Sequence, residues 1–214
     1  DQAVSGDRVL ARIVKKKKSH AEARMMRVLA ASPDRIAPPC PYSGQCGGCV
    51  WQILTYEKQL QYKRRHIVEA LDHLGGIKGV DVNPTMPSSR QFGYRNKMEF
   101  SFNIAENDGF VLGLHHRGHF DQIFNVEECL LQSKISNEIV THMRQVVSEN
   151  DIPAYDVFSH KGFLRFMMVR EGKQTGQVMI NIVTASDDPA RLEKIIGGLT
   201  NRFPQITTIV NNIN

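Results

Sequence analysis

Three of the four cysteines are crowded into one short segment, and this spacing constrains the chain more than any other feature. Cys40, Cys46 and Cys49 lie close together, whereas Cys129 follows much later. Residues 1–8 have neither a basic start nor an apolar stretch, so we expect no signal peptide and a reducing compartment. In such a compartment, closely spaced thiolates favour a metal site over disulfides.

The residues between the cysteines suit a loop that curls around a metal. Gly44, Gly47 and Gly48 can adopt positive φ, and their amides can approach sulfur closely. Hydrogen bonds from amides to sulfur tune iron–sulfur centres. One CxxC pair with a single remote thiol favours a [4Fe–4S] cluster over a zinc ribbon, which usually takes two such pairs. Zinc, and four cysteines without any metal, remain the alternatives.

The composition is that of an ordinary globular protein with a basic balance. Of the 214 residues, 41% are hydrophobic and 23% are charged. No apolar run reaches the about 18 residues that a membrane span needs. The net charge of +5 favours an anionic partner, with RNA or DNA ahead of a membrane surface. Because the chain begins with Asp rather than Met, we expect it to be a piece of a longer protein.

Four consecutive lysines give the chain its strongest local charge. Sequences typical of strands over 8–14 and 20–29 flank this run and predict a hairpin with the lysines at its tip. Such a tip can follow the phosphates of RNA, and a solvated turn without a partner is the alternative. The residues concerned are Lys15, Lys16, Lys17 and Lys18.

The remaining pattern alternates helices with hairpins, which indicates an α+β fold. A helix is predicted from Thr55 to the Gly75–Gly76 pair, and we expect part of its apolar face, including Leu60, Ile67 or Leu71, to be poorly buried. Further helices are predicted over 133–149 and 189–201, and strands over 94–104, 110–115, 122–126, 163–170, 177–184 and 206–213. Alternation within the strands places five phenylalanines in the core: Phe100, Phe102, Phe110, Phe120 and Phe124.

Two segments carry a resemblance to a known family. One is the CxxxxxCGGC pattern of 40–49 with Trp51-Gln52 behind it, and the other is FGYRNKMEF over 92–100. Together with Gly-Leu-His at 113–115 and Glu-Glu-Cys-Leu at 127–130, they resemble the bacterial RNA uracil-5-methyltransferases. The nearest likeness is to the iron–sulfur-containing 23S rRNA (uracil-5-)-methyltransferases of the RumA type, and it covers nearly the whole chain.

The resemblance implies a fold and a cofactor. It implies an α+β chain with a partial OB-like (TRAM) RNA-binding β-barrel over 1–34, a cysteine-rich cluster loop over 35–54, an amphipathic helix over 55–76 and an α/β sandwich central domain over 77–214. The family's four ligands to a [4Fe–4S] cluster match Cys40, Cys46, Cys49 and Cys129. A structural role for the cluster is favoured over redox sensing, because methyl transfer to uridine consumes no electron.

The resemblance also implies a reaction and a partner. In the family, a cysteine thiolate adds to carbon 6 of a uridine, S-adenosylmethionine delivers a methyl group to carbon 5, and a carboxylate removes the carbon 5 proton. The target base must leave its stack to be reached. RNA, in particular 23S rRNA, is then the partner of a cytoplasmic, monomeric enzyme.

The chain departs from the family pattern at its end. It stops at Asn214, where the family continues into a Rossmann-like domain that binds S-adenosylmethionine, and it contains no GxG turn. We therefore expect that domain to be missing and the chain to be inactive alone. With the four cysteines assigned to the cluster, no catalytic or cofactor-binding residue is assigned. A stand-alone, metal-containing RNA-binding module is the alternative, ahead of an electron carrier.

Further cations are predicted to contact RNA. Arg95 and Lys97 share one face of a predicted strand, where they either grip phosphates or form salt bridges at the strand end. Arg117 lies among His115, His116 and His119, a group that suggests surface histidines near RNA more than a second metal site.

Overall fold

The computed structural model describes residues 2–105 and 109–214. Its contacts divide the chain into two units, Asp1–Ser89 and Arg90–Asn214. Each unit has its own sheet, two-stranded in the first and six-stranded in the second. The two units are described in turn.

The first unit is built from a hairpin and a helix. Strands β1 (Arg8–Lys16) and β2 (Ala21–Ala30) pair antiparallel, with three irregularities in their register. Helix α1 (Tyr56–Glu69) follows the cysteine segment and continues as a π-helical turn over Ala70–Leu74. No residue of α1 is buried, and Ile67 is 54% exposed. The expectation of a poorly buried apolar face on this helix is therefore confirmed.

An ion pair holds the segment before β1 to the segment after β2. The Arg35 guanidinium lies 2.6 Å from the Asp7 carboxylate, which also accepts hydrogen bonds from the backbone amides of Val4 and Ser32 at 2.7 and 2.8 Å. The hydrogen bond from Arg35 is the main cause that holds the pKa of Asp7 well below its ordinary value. The carboxylate is therefore charged at neutral pH.

The second unit is a six-stranded mixed sheet in the order β5-β4-β3-β6-β7-β8. Its strands are β3 (Lys97–Ala105), β4 (Gly109–His115), β5 (Ile123–Asn125), β6 (Leu164–Glu171), β7 (Val178–Thr184) and β8 (Ile206–Ile213). Helix α2 (Lys134–Glu149) lies between β5 and β6 in sequence, and helix α3 (Pro189–Arg202) connects β7 to β8. Strands β7 and β8 are parallel because a helix carries the chain back between them, while the other neighbours are antiparallel.

The core of the second unit lies between one face of the sheet and the two helices. Alternate strand residues such as Phe100, Met167 and Ile182 are fully buried, together with Met143 of α2 and Leu199 of α3. Each such side chain contributes about 1.5–3 kcal/mol to folding relative to leaving it exposed. Both helices begin where expected, with the Ser133 and Asp188 side chains accepting from the amides of Ser136 and Arg191.

The expected fold class is wrong, although the individual elements follow the predicted ranges closely. Within residues 2–105 and 109–214, β1 and β2 pair only with each other, so the first unit contains a hairpin rather than a partial barrel. A two-stranded hairpin has two unpaired outer edges and cannot close into a barrel. The second unit is a mixed sheet with helices. No helix in the described part of the chain has the length and apolar character to cross a membrane.

Candidate functional site

The three neighbouring cysteines lie in a loop shaped by tight turns. The amide of Ser43 donates to the Cys40 carbonyl at 3.2 Å, and the amide of Cys46 donates to the Tyr42 carbonyl at 2.9 Å. Gly44 turns the chain with a φ of 90°. The amide of Gly48 lies 3.4 Å from the Cys46 sulfur, to which it donates. Each thiol is half-buried.

Contacts at its base attach this loop to the residues before α1. The Cys40 amide donates to the side-chain oxygen of Gln52 at 3.3 Å, and the Ile36 amide donates to the Ile53 carbonyl at 3.0 Å. Trp51 packs against α1, with its ring 6.3 Å from Tyr62 and 5.6 Å from His66. The tryptophan therefore packs against the helix that follows the cysteine loop.

Cys129 belongs to the second unit, where α2 holds its backbone. The Asn137 side chain accepts from the Cys129 amide at 2.9 Å and donates to its carbonyl at 3.2 Å. The Gln132 amide also donates to that carbonyl, at 2.9 Å. This double contact fixes the peptide that carries the half-buried fourth thiol.

The expected iron–sulfur cluster is not shown by this structure. Among the described side chains, no group of three or more His, Cys, Asp or Glu is arranged to hold a metal ion. The described histidines near Arg117 therefore do not form a second metal site in this structure. The donor chemistry nevertheless suits an iron–sulfur centre, because half-buried thiols and an amide directed at sulfur are its usual surroundings.

The lysine run lies at the hairpin tip as predicted. Lys15 and Lys16 end β1, and the Lys17 amide donates to the His20 carbonyl at 2.8 Å across the turn. All four lysines are exposed. The Lys17 ammonium lies 2.8 Å from the Glu22 carboxylate, so its charge is partly neutralised.

The second unit presents the other predicted cations at separate places. Lys97 is exposed at the start of β3, and Arg95 precedes it, donating from Nε to the Lys97 carbonyl at 3.1 Å. Arg117 is half-buried in the loop between β4 and β5. Sequence reasoning missed Arg170, which is exposed opposite Lys97 on β6. Its signal in the sequence was a basic residue near the end of a strand whose centre is apolar.

The loop between β4 and β5 corrects another expectation. Phe100, Phe102 and Phe124 are buried and Phe110 is partly buried, but Phe120 is 76% exposed. Phe120 lies in the loop between the end of β4 at His115 and the start of β5 at Ile123, so the alternation of the strands does not apply to it. Two neighbouring histidines contact residues of the sheet. His115 Nε2 lies 2.8 Å from Ser101 Oγ, within hydrogen-bond distance. The centre of the His116 ring lies 4.9 Å from the centre of the Phe124 ring.

A polar cluster joins the start of α2 to the end of β6. The Glu171 carboxylate accepts hydrogen bonds from the hydroxyls of Ser133 and Ser136 and from the Lys173 ammonium, which lies 2.9 Å away. Burial works to raise the pKa of Glu171, but the bonds from Ser133 and Lys173 outweigh it, so the pKa lies below its ordinary value. These contacts connect the N-terminal cap of α2 to the end of β6.

Comparison with known proteins shows that the chain is similar to RNA methyltransferases. No family model matches it. It is 36% identical to an uncharacterized RNA methyltransferase of Chlorobaculum tepidum, over 97% of this chain and 46% of that protein. It is 31% identical to one of Halalkalibacterium halodurans, over 100% of this chain and 46% of that protein. The chain thus spans about half the length of these curated relatives.

One solved structure is similar in both sequence and fold. The Pyrococcus abyssi tRNA (uracil-54, C5)-methyltransferase, determined with S-adenosyl-L-homocysteine, is 28% identical with a TM-score of 0.58, covering 86% of this chain and 40% of that one. The chain is therefore similar to RNA methyltransferases in both sequence and fold. The same alignment overturns the expected fold class, and the inference of a missing cofactor-binding domain is withdrawn with it.

Proposed function

We propose that this chain is part of an S-adenosylmethionine-dependent RNA methyltransferase that acts on carbon 5 of uridine. The observation that carries the proposal is the likeness to a solved uracil-C5 methyltransferase, supported by relatives named as RNA methyltransferases. The sequence motifs favour 23S rRNA as the substrate, and a tRNA, the substrate named for the solved neighbour, is the competing one. We propose a cytoplasmic monomer.

In this proposal the exposed cations bind the phosphates of the substrate. The lysines at the hairpin tip provide mobile positive charges, whereas Lys97 and Arg170 face each other across two paired strands. Two like charges held opposite each other repel, and an intervening phosphate relieves that repulsion. Arg95 and Arg117 are proposed as further RNA contacts. Such contacts position the RNA without reading its sequence.

The methyl group comes from S-adenosylmethionine, which supplies an electrophilic carbon when it is bound. The proposed chemistry uses a thiolate adduct at carbon 6 of the uridine to make carbon 5 nucleophilic. The uridine must leave its stack before the thiolate can reach carbon 6, which costs a few kcal/mol of free energy. Contacts between the protein and other parts of the RNA must offset this cost. The residues of this chain are accordingly proposed to hold and orient RNA, and none is assigned a bond-making role.

We further propose that Cys40, Cys46, Cys49 and Cys129 are the ligands of a [4Fe–4S] cluster with a structural role. The loop turns and the amide directed at the Cys46 sulfur support the first three ligands, and the Asn137 contacts support a fixed position for Cys129 within its own unit. Anaerobic purification should yield about four irons and four sulfides per chain with a broad absorption band near roughly 400 nm. Stoichiometric zinc, or no metal bound under these conditions, would refute this ligand assignment.

The reaction is tested with the full product of the gene that encodes this chain. That protein is incubated with total RNA and methyl-labelled S-adenosylmethionine, and the digested nucleosides are separated. We expect the label in 5-methyluridine, and rRNA and tRNA fractions assayed separately identify the substrate. Label confined to other nucleosides, or none above the level of a heat-inactivated control, would overturn the proposal.

A further inference from the structure

Phe120 is the exposed aromatic residue of a loop that is otherwise well fixed. The ring is 76% exposed, although a phenylalanine on a protein surface gives up the free energy of burial. The loop runs from His116 to Gln122, and the amide of His116 donates to the Gln122 carbonyl at 2.9 Å. A second bond, from the His119 amide to the His116 carbonyl at 3.1 Å, tightens the turn.

The sheet anchors this loop directly beside the phenylalanine. The side chain of Asn103, on β3, donates from Nδ2 to the carbonyl of Asp121 at 2.9 Å. Gly118, with a φ of 78°, makes the turn at a point where an added Cβ would meet open space. An aromatic ring on an anchored loop loses little conformational entropy when it binds, so its exposed face is available to a ligand at low cost.

We propose that Phe120 is a stacking platform for an unpaired base of the RNA substrate. This inference rests on the proposed function and adds the residue that would contact a base rather than a phosphate. The sequence of the loop favours RNA over an apolar protein partner, because His116, Arg117 and His119 precede Phe120 and the one acidic residue of the loop is Asp121. Base–aromatic stacking with nearby cations is the usual mode of binding single-stranded nucleic acid.

The second unit provides a matched control in Phe158, which is 72% exposed. It lies in the loop between α2 and β6, where its amide donates to the Asp156 carboxylate at 2.7 Å. The Ser159 and Phe158 amides lower the pKa of Asp156, so a negative charge stays beside this ring at neutral pH. The amides of Phe158 and Ser159 both hold the Asp156 carboxylate against this loop, so its charge is fixed beside the ring and we expect Phe158 not to stack on RNA.

The test measures equilibrium binding of wild type, Phe120→Ala, Phe120→Trp and Phe158→Ala to single-stranded and duplex forms of one RNA. Phe120→Ala should weaken single-strand binding about 5- to 150-fold with an unchanged salt dependence, since a stacked base but no phosphate contact is lost. Phe120→Trp should retain the affinity, and its fluorescence should be quenched by RNA. Phe158→Ala should bind like the wild type.

Four outcomes would overturn the proposal. They are wild-type affinity in Phe120→Ala, an equal loss in Phe158→Ala, an equal loss for duplex RNA, and a change in oligomeric state caused by Phe120→Ala. The last outcome would assign the ring to a protein interface. If the wild-type protein bound no RNA at all, the proposed function itself would fail, which distinguishes that failure from an error about Phe120.

Discussion

Asp7 and Arg35 form an ion pair of 2.6 Å in which the carboxylate side chain is only 1% exposed. The guanidinium also donates to the backbone carbonyl of Gln2, so one side chain ties the residues on both sides of the β1–β2 hairpin together. This pair matters for the proposed function because the same hairpin carries the lysine run at its other end.

Replacing Asp7 by Asn should destabilise the first unit at neutral pH. The pKa of Asp7 is lowered in the folded state, so its charge stabilises the fold above the ordinary value of 3.8 and this contribution is lost as the pH falls below it. Urea unfolding at pH 7 should therefore separate Asp7→Asn from the wild type, and the difference should shrink on acidification. Arg35→Gln should cause a similar loss, and the double variant should be less destabilised than the sum of the two.

Two adjacent glycines of α3 should respond oppositely to alanine. A Cβ at Gly197 would have no atom within 4 Å, whereas one at Gly198 would lie 2.7 Å from Cγ2 of Val146, a buried residue of α2. Gly197→Ala should stabilise the protein by about 0.5–1 kcal/mol, because alanine favours the helix. Gly198→Ala should destabilise it by about 1–3 kcal/mol through overpacking between the helices. Thermal unfolding of both variants checks the pair, and equal shifts would contradict the packing described for α2 and α3.

Glu171→Gln should weaken the joint between α2 and β6. The charged carboxylate accepts from Ser133, Ser136 and Lys173, and hydrogen bonds to a charged group contribute about 1.5–3 kcal/mol. Because Glu171 is partly exposed to solvent, we expect a loss of about 1 kcal/mol at pH 7. The lowered pKa means that this loss should disappear as the pH falls below the ordinary value of 4.5. Glu193→Gln, on the exposed side of α3, serves as the control and should leave unfolding unchanged.

The lysine tip should act through charge alone. Replacing Lys15, Lys16 and Lys18 together by Ala should reduce the slope of log affinity against log salt by up to about 0.7 per lysine for single-stranded RNA. The replacement of Lys17 should change the slope less, because its ammonium is paired with Glu22. Equal slopes in the wild type and the triple variant would show that the tip is a solvated turn.

The sequence predicted local structure far better than long-range pairing. The range predicted for β8 is the one observed, and the helices predicted over 133–149 and 189–201 begin where short hydrogen bonds between neighbouring residues cap α2 and α3. The parallel pairing of β8 with β7 was not predicted, because strand patterning does not say which edge a strand joins. Phe120 was misplaced for a related reason, since periodicity has no meaning once the strand has ended.

In the proposed site, too, local features could be predicted from the sequence and contacts between distant residues could not. Exposure of the lysines follows from composition, whereas the opposition of Lys97 and Arg170 requires the register between β3 and β6. The hydrogen bonds between the Asn137 side chain and the Cys129 backbone connect a loop to the first turn of α2. The helical pattern around Asn137 does not indicate which backbone groups its side chain binds. Conversely, the cysteine motif was evident in the sequence, but the cluster inferred from it remains a proposal.

The most direct test of the account is the nucleoside content of RNA from cells that lack this gene. Mass spectrometry of purified 23S rRNA and tRNA should show the loss of 5-methyluridine from one of these fractions, with full restoration by a plasmid copy of the gene. Unchanged 5-methyluridine in both fractions would contradict the assignment of uridine carbon 5 as the site of methylation.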